Sequence, residues 1–261
     1  MGADMGEKDM ARRLMVLTVI CYFIKIAEAS GGGGSGWSRG HATFYGGSNA
    51  APSTMGGACG YDNVYTAGYG VYTTALSSAL FREGEACGAC YELLCDSMSD
   101  RRWCRQGGRV VVSATNFCPS NDRGGWCNSP LQHFDKSLPA FTRIARYSSG
   151  IVPVLFRRVG CAKKGGVKFT VKGHSFFNLV LISNVGGNGV VKGVWVRGGR
   201  GGVWQAMHRN WGANWQNNSK LDGKPLSFRV MVEDGKMLTF NNVVPSNWRF
   251  GQTFATRLQF S

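Results

Sequence analysis

Carboxylates are scarce in this 261-residue chain: 15 Asp and Glu stand against 30 Lys and Arg, a formal charge of +15. The imbalance favours polyanionic partners over cationic ones. It also means that any site needing two carboxylates must draw on a short list. Long hydrophobic runs are missing as well. The longest, Leu14 to Ile24, has eleven residues, whereas about 18–20 are needed for a membrane-spanning helix. The sequence therefore predicts no transmembrane helix. No second CxxC pair accompanies Cys87-Gly-Ala-Cys90, so a structural zinc site is disfavoured and neither metal nor cofactor is expected. Internal repeats are absent too. Beyond residue 161 cysteine disappears, which divides the chain into a cross-linked first half and a cysteine-free second half.

The N-terminus has the features of an export signal. Arg12-Arg13 precede the apolar run, and Ala27-Glu28-Ala29 has the small-x-small form of a processing site. Residues 1–29 are expected to be removed, leaving a Gly/Ser leader at 30–36. Cys21 leaves with the signal. The remaining eight are Cys59, Cys87, Cys90, Cys95, Cys104, Cys118, Cys127 and Cys161. An even number in an exported chain predicts four disulfides, although spacing alone does not choose among the pairings. Export also turns the basic surface away from nucleic acid and towards extracellular polysaccharide.

Residues 37–161 are rich in glycine and short β-type runs, among them Ala42-Thr-Phe-Tyr45, Arg109-Val-Val-Val-Ser113 and Ile151-Val-Pro-Val-Leu-Phe156. Two short helices are predicted between them. Thr73 to Leu80 places Leu76, Ala79 and Leu80 on one face. The second starts with Ser137 as N-cap and Pro139 in the first turn, turns Phe141, Ile144 and Ala145 inward, and stops at Gly150. Scattered strands with many staples suggest a small closed barrel. Residues 162–166 read as a polar hinge. From 167 to 261 alternation returns at regular spacing, with Val167, Phe169 and Val171, then Leu226, Phe228, Val230 and Val232, as the apolar members. Gly186-Gly-Asn-Gly189, Asp222-Gly223 and Asp234-Gly235 supply turns. This pattern predicts an antiparallel sandwich.

His133-Phe-Asp135 raises the question of chemistry. Glycosidic hydrolysis ordinarily uses two carboxyl groups about 5–9.5 Å apart. Apart from Asp135, residues 37–161 offer only Asp62, Glu83, Glu85, Glu92, Asp96, Asp100 and Asp122. Asp135 itself has two readings, a groove carboxylate or a cap on the following helix. Thr43 and Tyr45 point to one face of a strand, and His133 is assigned to positioning its loop. In the second half, the tryptophans are Trp195, Trp204, Trp211, Trp215 and Trp248. Trp211-Gly-Ala-Asn-Trp215 sets two rings in a polar stretch, suited to stacking on sugar. Asn217-Asn-Ser219 is a glycosylation sequon.

Taken in order, Ala42-Thr-Phe-Tyr-Gly46, Gly56-Gly-Ala-Cys-Gly-Tyr61, Ala86-Cys-Gly-Ala-Cys-Tyr-Glu92, Ala114-Thr-Asn-Phe-Cys118, Gly124-Gly-Trp-Cys-Asn128 and His133-Phe-Asp135 resemble the α-expansins of plant cell walls. So do Gly173-His-Ser, Asn184-Val-Gly-Gly187, Arg209-Asn-Trp-Gly212 and Phe250-Gly-Gln-Thr-Phe254. The resemblance implies a double-psi β-barrel, similar to that of family-45 endoglucanases, followed by an immunoglobulin-like carbohydrate-binding sandwich. It implies the pairs Cys59–Cys87, Cys90–Cys161 and Cys95–Cys104, leaving Cys118 with Cys127. It places Trp211 on the binding platform with an aromatic from Phe176-Phe177. Those endoglucanases carry a catalytic base just after a first-strand Thr-x-Tyr. Here Thr43-Phe-Tyr45 runs into Gly46-Gly47, and a glycine cannot deprotonate water.

The resemblance thus implies a secreted, monomeric, non-hydrolytic wall-loosening protein acting on cellulose and xyloglucan, with pectin as a further candidate. Asn49, Asp62, Ser129, Lys136 and Phe176 depart from the common α-expansin pattern. A weak endoglucanase using Asp135, single-acid lytic transglycosylation in which the substrate's own hydroxyl attacks, and a passive wall-binding or defence protein are the alternatives. A groove around Asp135 is expected to desolvate its carboxyl and raise its pKa.

Overall fold

Strands with one buried face, such as Val152–Val159, alternate in burial, whereas Thr73–Leu76 and Cys90–Cys95 are buried on both faces. In the computed structural model, residues 36–46 and 57–261 are described. The expected signal, nearly all of the leader, Gly47 and Asn49 lie outside them. Six strands close a barrel in the order β1-β5-β2-β4-β3-β6. They are β1 (Ser38–Tyr45), β2 (Thr73–Leu76), β3 (Cys90–Cys95), β4 (Arg109–Phe117), β5 (His133–Ser137) and β6 (Val152–Val159). β1 runs parallel to β5, and β2 parallel to β4. These parallel neighbours define the double-psi arrangement. Leu76, Leu93, Val112, Ala114 and Phe134 fill the interior.

The helix predicted over Thr73–Leu80 is replaced by β2 and a four-residue helix α1 (Ser78–Phe81). Thr73 and Thr74 are β-branched and buried, and β2 pairs with strands on both sides. Two ladders of hydrogen bonds outweigh a local helical period. The second helix is shorter than predicted, α2 (Leu138–Phe141), with a 3₁₀ turn at Tyr147–Ser149 before Gly150. Phe141, Ile144 and Ala145 are buried as expected. Ser137 does not cap α2 with its side chain; its hydroxyl donates to the Val71 carbonyl at 2.6 Å.

Four disulfides staple this half: Cys59–Cys87, Cys90–Cys161, Cys95–Cys104 and Cys118–Cys127. Glu92, a buried acid, is held by Arg109 at 2.9 Å and Arg157 at 2.6 Å. Its two oxygens are thereby satisfied, which offsets part of the cost of burial.

The remaining strands are β7 (Lys168–His174), β8 (Phe177–Ser183), β9 (Val191–Gly198), β10 (Gln205–Trp211), β11 (Asn214–Asn217), β12 (Leu226–Val232), β13 (Met237–Val244) and β14 (Thr253–Ala255). They bond in the order β13-β12-β9-β10-β11-β8-β7-β14. β10 pairs with β9 through Gln205–Met207 and with β11 from His208 onward, so it passes from one layer to the other. The layers meet face to face, with Phe169 of β7 stacked on Phe228 of β12 at 4.7 Å.

Ser38–Ser261 forms one compact unit. Leu181 and Ala213, from the sandwich, belong to the barrel's hydrophobic cluster. The segment 162–166, read as a hinge, is anchored: Asn184 donates to the Lys164 and Gly166 carbonyls, and Lys163 Nζ lies 4.0 Å from the Tyr69 ring centre.

Candidate functional site: a barrel groove and an exposed ring

The parallel pairing of β1 with β5 sets Thr43 beside Asp135, while β2 sets Ala75 on the other side. Period two then brings His41, Thr43 and Tyr45 of β1 to one face with His133 and Asp135 of β5. Phe134, between the latter two, points into the core. Asp135 is therefore a mid-strand residue rather than a helix cap. Thr43 Oγ1 donates to Asp135 Oδ1 at 2.8 Å, and the same oxygen lies 2.8 Å from His133 Nε2. Because the threonine proton goes to Asp135, His133 donates from Nε2 and leaves Nδ1 bare. Nδ1 is buried without a partner among the described residues, and bare is the cheaper form for such a nitrogen. His133 orients Thr43 from within a strand, not from a loop.

Burial pushes the His133 pKa down to about 4, with His41 and Lys136 adding repulsion; the imidazole is neutral through mildly acidic pH. Desolvation raises Asp135 above the ordinary aspartate range, opposed by the Thr43 hydrogen bond. Tyr45 is raised by desolvation and by the Asp135 charge, against a hydrogen bond to Thr73 of 3.1 Å. The sequence reading missed Thr73, which it placed in a helix. It also left Trp126 without a role: this exposed ring packs 4.4 Å from His41 and stacks at 6.3 Å on His133, closing one end of the groove.

Asp135 has no carboxylate partner among the described residues. Asp62 pairs with Lys172, Glu85 with Lys192, and Asp96 with the Ser99 hydroxyl. From Ala75 the surface continues to its β4 neighbour Asn116, whose Oδ1 accepts from the Ala58 amide at 2.8 Å. Two residues on, Gly60 lies beneath the Trp211 ring, where a Cβ would come within 2.6 Å of the indole. Trp211 is 45% exposed.

Trp215, expected beside Trp211 on an exposed surface, is not there. It is 4% exposed and belongs to the sandwich core, with the Arg209 guanidinium over its ring at 4.7 Å. The register shift between Arg209 and Trp211 separates the two rings: Trp215 pairs with Arg209, Trp211 with Asn214. Phe176 sits in the β7–β8 turn at 58% exposure, while Phe177 is half-buried against His174. Asn214 pairs with Leu181 and Asn217 with Asn178. Phe177 and the Trp211 end of the hairpin are thus four strand residues apart, about 13 Å at the usual rise. Asn217 is likewise not exposed as its sequon suggested. It is 8% accessible, its Nδ2 donates to Gln205 Oε1, and its Oδ1 accepts from the Ser219 amide. The amide nitrogen a glycan would need is already engaged.

Residues 167–245 match the Expansin C-terminal domain family, and residues 73–156 match the family described as lytic transglycolase. Expansin-A12 of Arabidopsis thaliana is 58% identical over 85% of this chain and 88% of its own length. Expansin-A13 of Oryza sativa subsp. japonica is 52% identical over 94% of this chain and 97% of its own. A mutant Clavibacter michiganensis expansin crystallised with cellohexaose shares the fold at 21% identity, TM-score 0.66, over 86% of this chain and 98% of that one. With the barrel, the sandwich and relatives of this similarity over most of their length, the chain belongs to the expansin family, among the expansin-A proteins.

Proposed function

We propose that this protein is secreted to the cell wall as a monomer, binds cellulose and xyloglucan along the groove and Trp211, and loosens their contacts without cutting chains. The observation that carries the reading is the solitary Asp135, held by Thr43 and His133 and without a second carboxylate among the described residues. One carboxyl group can exchange hydrogen bonds with a glucan; it cannot both protonate a leaving oxygen and activate water. The sequence at Gly46-Gly47 supports the same reading, since no side chain there can act as a base. Export supports it through the four disulfides, and the cellohexaose bound by the Clavibacter michiganensis relative supports a β-glucan ligand.

Protonation supplies the switch. A raised Asp135 pKa means that the neutral carboxyl becomes populated at a higher pH than for an ordinary aspartate. The neutral form donates a hydrogen bond to a glucan oxygen, and neutral His133 keeps Thr43 aimed at the other carboxyl oxygen throughout. Wall extension is therefore expected to rise as pH falls from about 7 to about 5. Asp135→Asn, uncharged at every pH and still able to accept from Thr43, is expected to give a flat profile in wall-extension assays. A mutant retaining the full wild-type pH dependence would remove Asp135 from the role of switch.

A further inference from the structure

Trp195 and Trp204 take no part in the groove. They lie on the outer face of the layer formed by β9, β12 and β13, whose other face carries Val194, Val196, Phe228 and Phe240 into the core. Trp195 lies over Gly193: a Cβ there would meet the indole at 2.9 Å and Met231 Cε at 3.2 Å. The Trp204 ring holds two guanidiniums, Arg197 at 4.7 Å and Arg229 at 4.4 Å from its centre. Arg197 also donates to Asn241 Oδ1 at 3.3 Å, and its buried Nε has no partner among the described residues. Arg229 makes no ion pair among the described residues.

No acidic side chain stands anywhere on β9, β10, β12 or β13. Residues 167–261 hold twelve Lys and Arg and three acids. Of those acids, Glu233 is engaged by Arg82 and Arg158, and Asp234 by Lys236. A guanidinium stacked on an indole is pre-organised, and its terminal N–H groups suit a carboxylate; Arg197 already gives one N–H to Asn241. A neutral glucan would use the Trp195 face and leave both cations idle. A chain whose sugar rings bear carboxylates would use both.

We propose that this face is a second polysaccharide-binding surface, selective for uronate-bearing chains and separate from the groove. It goes beyond the neutral-glucan reading and does not depend on it. The test measures binding of the full secreted protein to polygalacturonate, with an unsubstituted β-glucan as the neutral comparison. Arg197→Gln with Arg229→Gln is expected to weaken polygalacturonate binding by at least about tenfold and to leave glucan binding unchanged. The charge-matched pair Arg101→Gln with Arg146→Gln, on the barrel, is expected to change it by less than about twofold. Equal losses in the two double variants would mean that net charge alone attracts the polymer, and would overturn the proposal. So would undiminished binding in the first. Should that variant fold poorly, Arg197→Lys with Arg229→Lys keeps the charge and removes the guanidinium. Undiminished polygalacturonate binding in that pair would equally overturn the proposal.

Discussion

Lys136 follows Asp135 in β5 and points the opposite way, into the barrel. It is 0% exposed, its Nζ has no hydrogen-bond partner among the described residues, and the Phe141 ring lies 5.2 Å away. Burial drives its pKa well below the usual lysine value. The unfolded chain keeps a lysine pKa of about 10.4, so between the two values it binds more protons than the fold. Stability is accordingly lost as pH falls from about 10.4 through the folded-state pKa. Lys136→Met, of similar length and apolar, is expected to raise stability by on the order of 1–3 kcal/mol near neutral pH. The gain should shrink as pH rises toward 10. Urea denaturation of both proteins at several pH values measures it; a constant or negative difference would place a partner on the amine. Lys136 stood out in the sequence only as a departure from a family pattern. Its lack of a partner could not be read there, because that depends on side chains from β1, β2 and α2.

At the scale of elements, the β10–β11 hairpin decides what its tryptophans do. Trp211→Ala is expected to weaken cellulose binding while the fold survives, since an exposed stacking ring contributes about 0.5–1.5 kcal/mol beyond its area. Trp215→Ala is expected to cost about 3–5 kcal/mol of stability, as for other buried large aromatics. Pull-down on cellulose and circular dichroism separate the two outcomes. The reverse pattern would exchange the roles assigned to the rings. Polar neighbours in the sequence suggested exposure for both, but the register shift between Arg209 and Trp211 is set by pairing with β11 and is invisible in composition. The same limit explains β2. Its residues fit a helical period, and only the arrival of β4 and β5 on either side makes it a strand. Elements whose alternation is strong, such as β7 and β12, were legible because one buried face suffices to define them.

For the whole molecule, cysteine distribution suggested two halves; barrel and sandwich differ in architecture, yet Ser38–Ser261 forms one compact unit. The anchored 162–166 segment and the shared cluster at Leu181 and Ala213 join them more closely than a polar hinge implied. Gly60 is where the joining meets the proposed binding surface. It has φ +76°, and a side chain would collide with Trp211 and Asn214. Gly60→Val is expected to displace the ring, lowering wall binding and extension together, with four intact disulfides by mass spectrometry. Unchanged binding would detach Trp211 from the groove.

A groove with a single carboxylate implies loosening without hydrolysis. That implication is tested most directly by following wall extension and the release of reducing ends on the same purified protein and the same wall samples. Extension at acidic pH with reducing ends no higher than in a protein-free blank is the predicted result. Extension accompanied by steady release of reducing ends, abolished together with it by Asp135→Asn, would contradict the claim and require a second catalytic group.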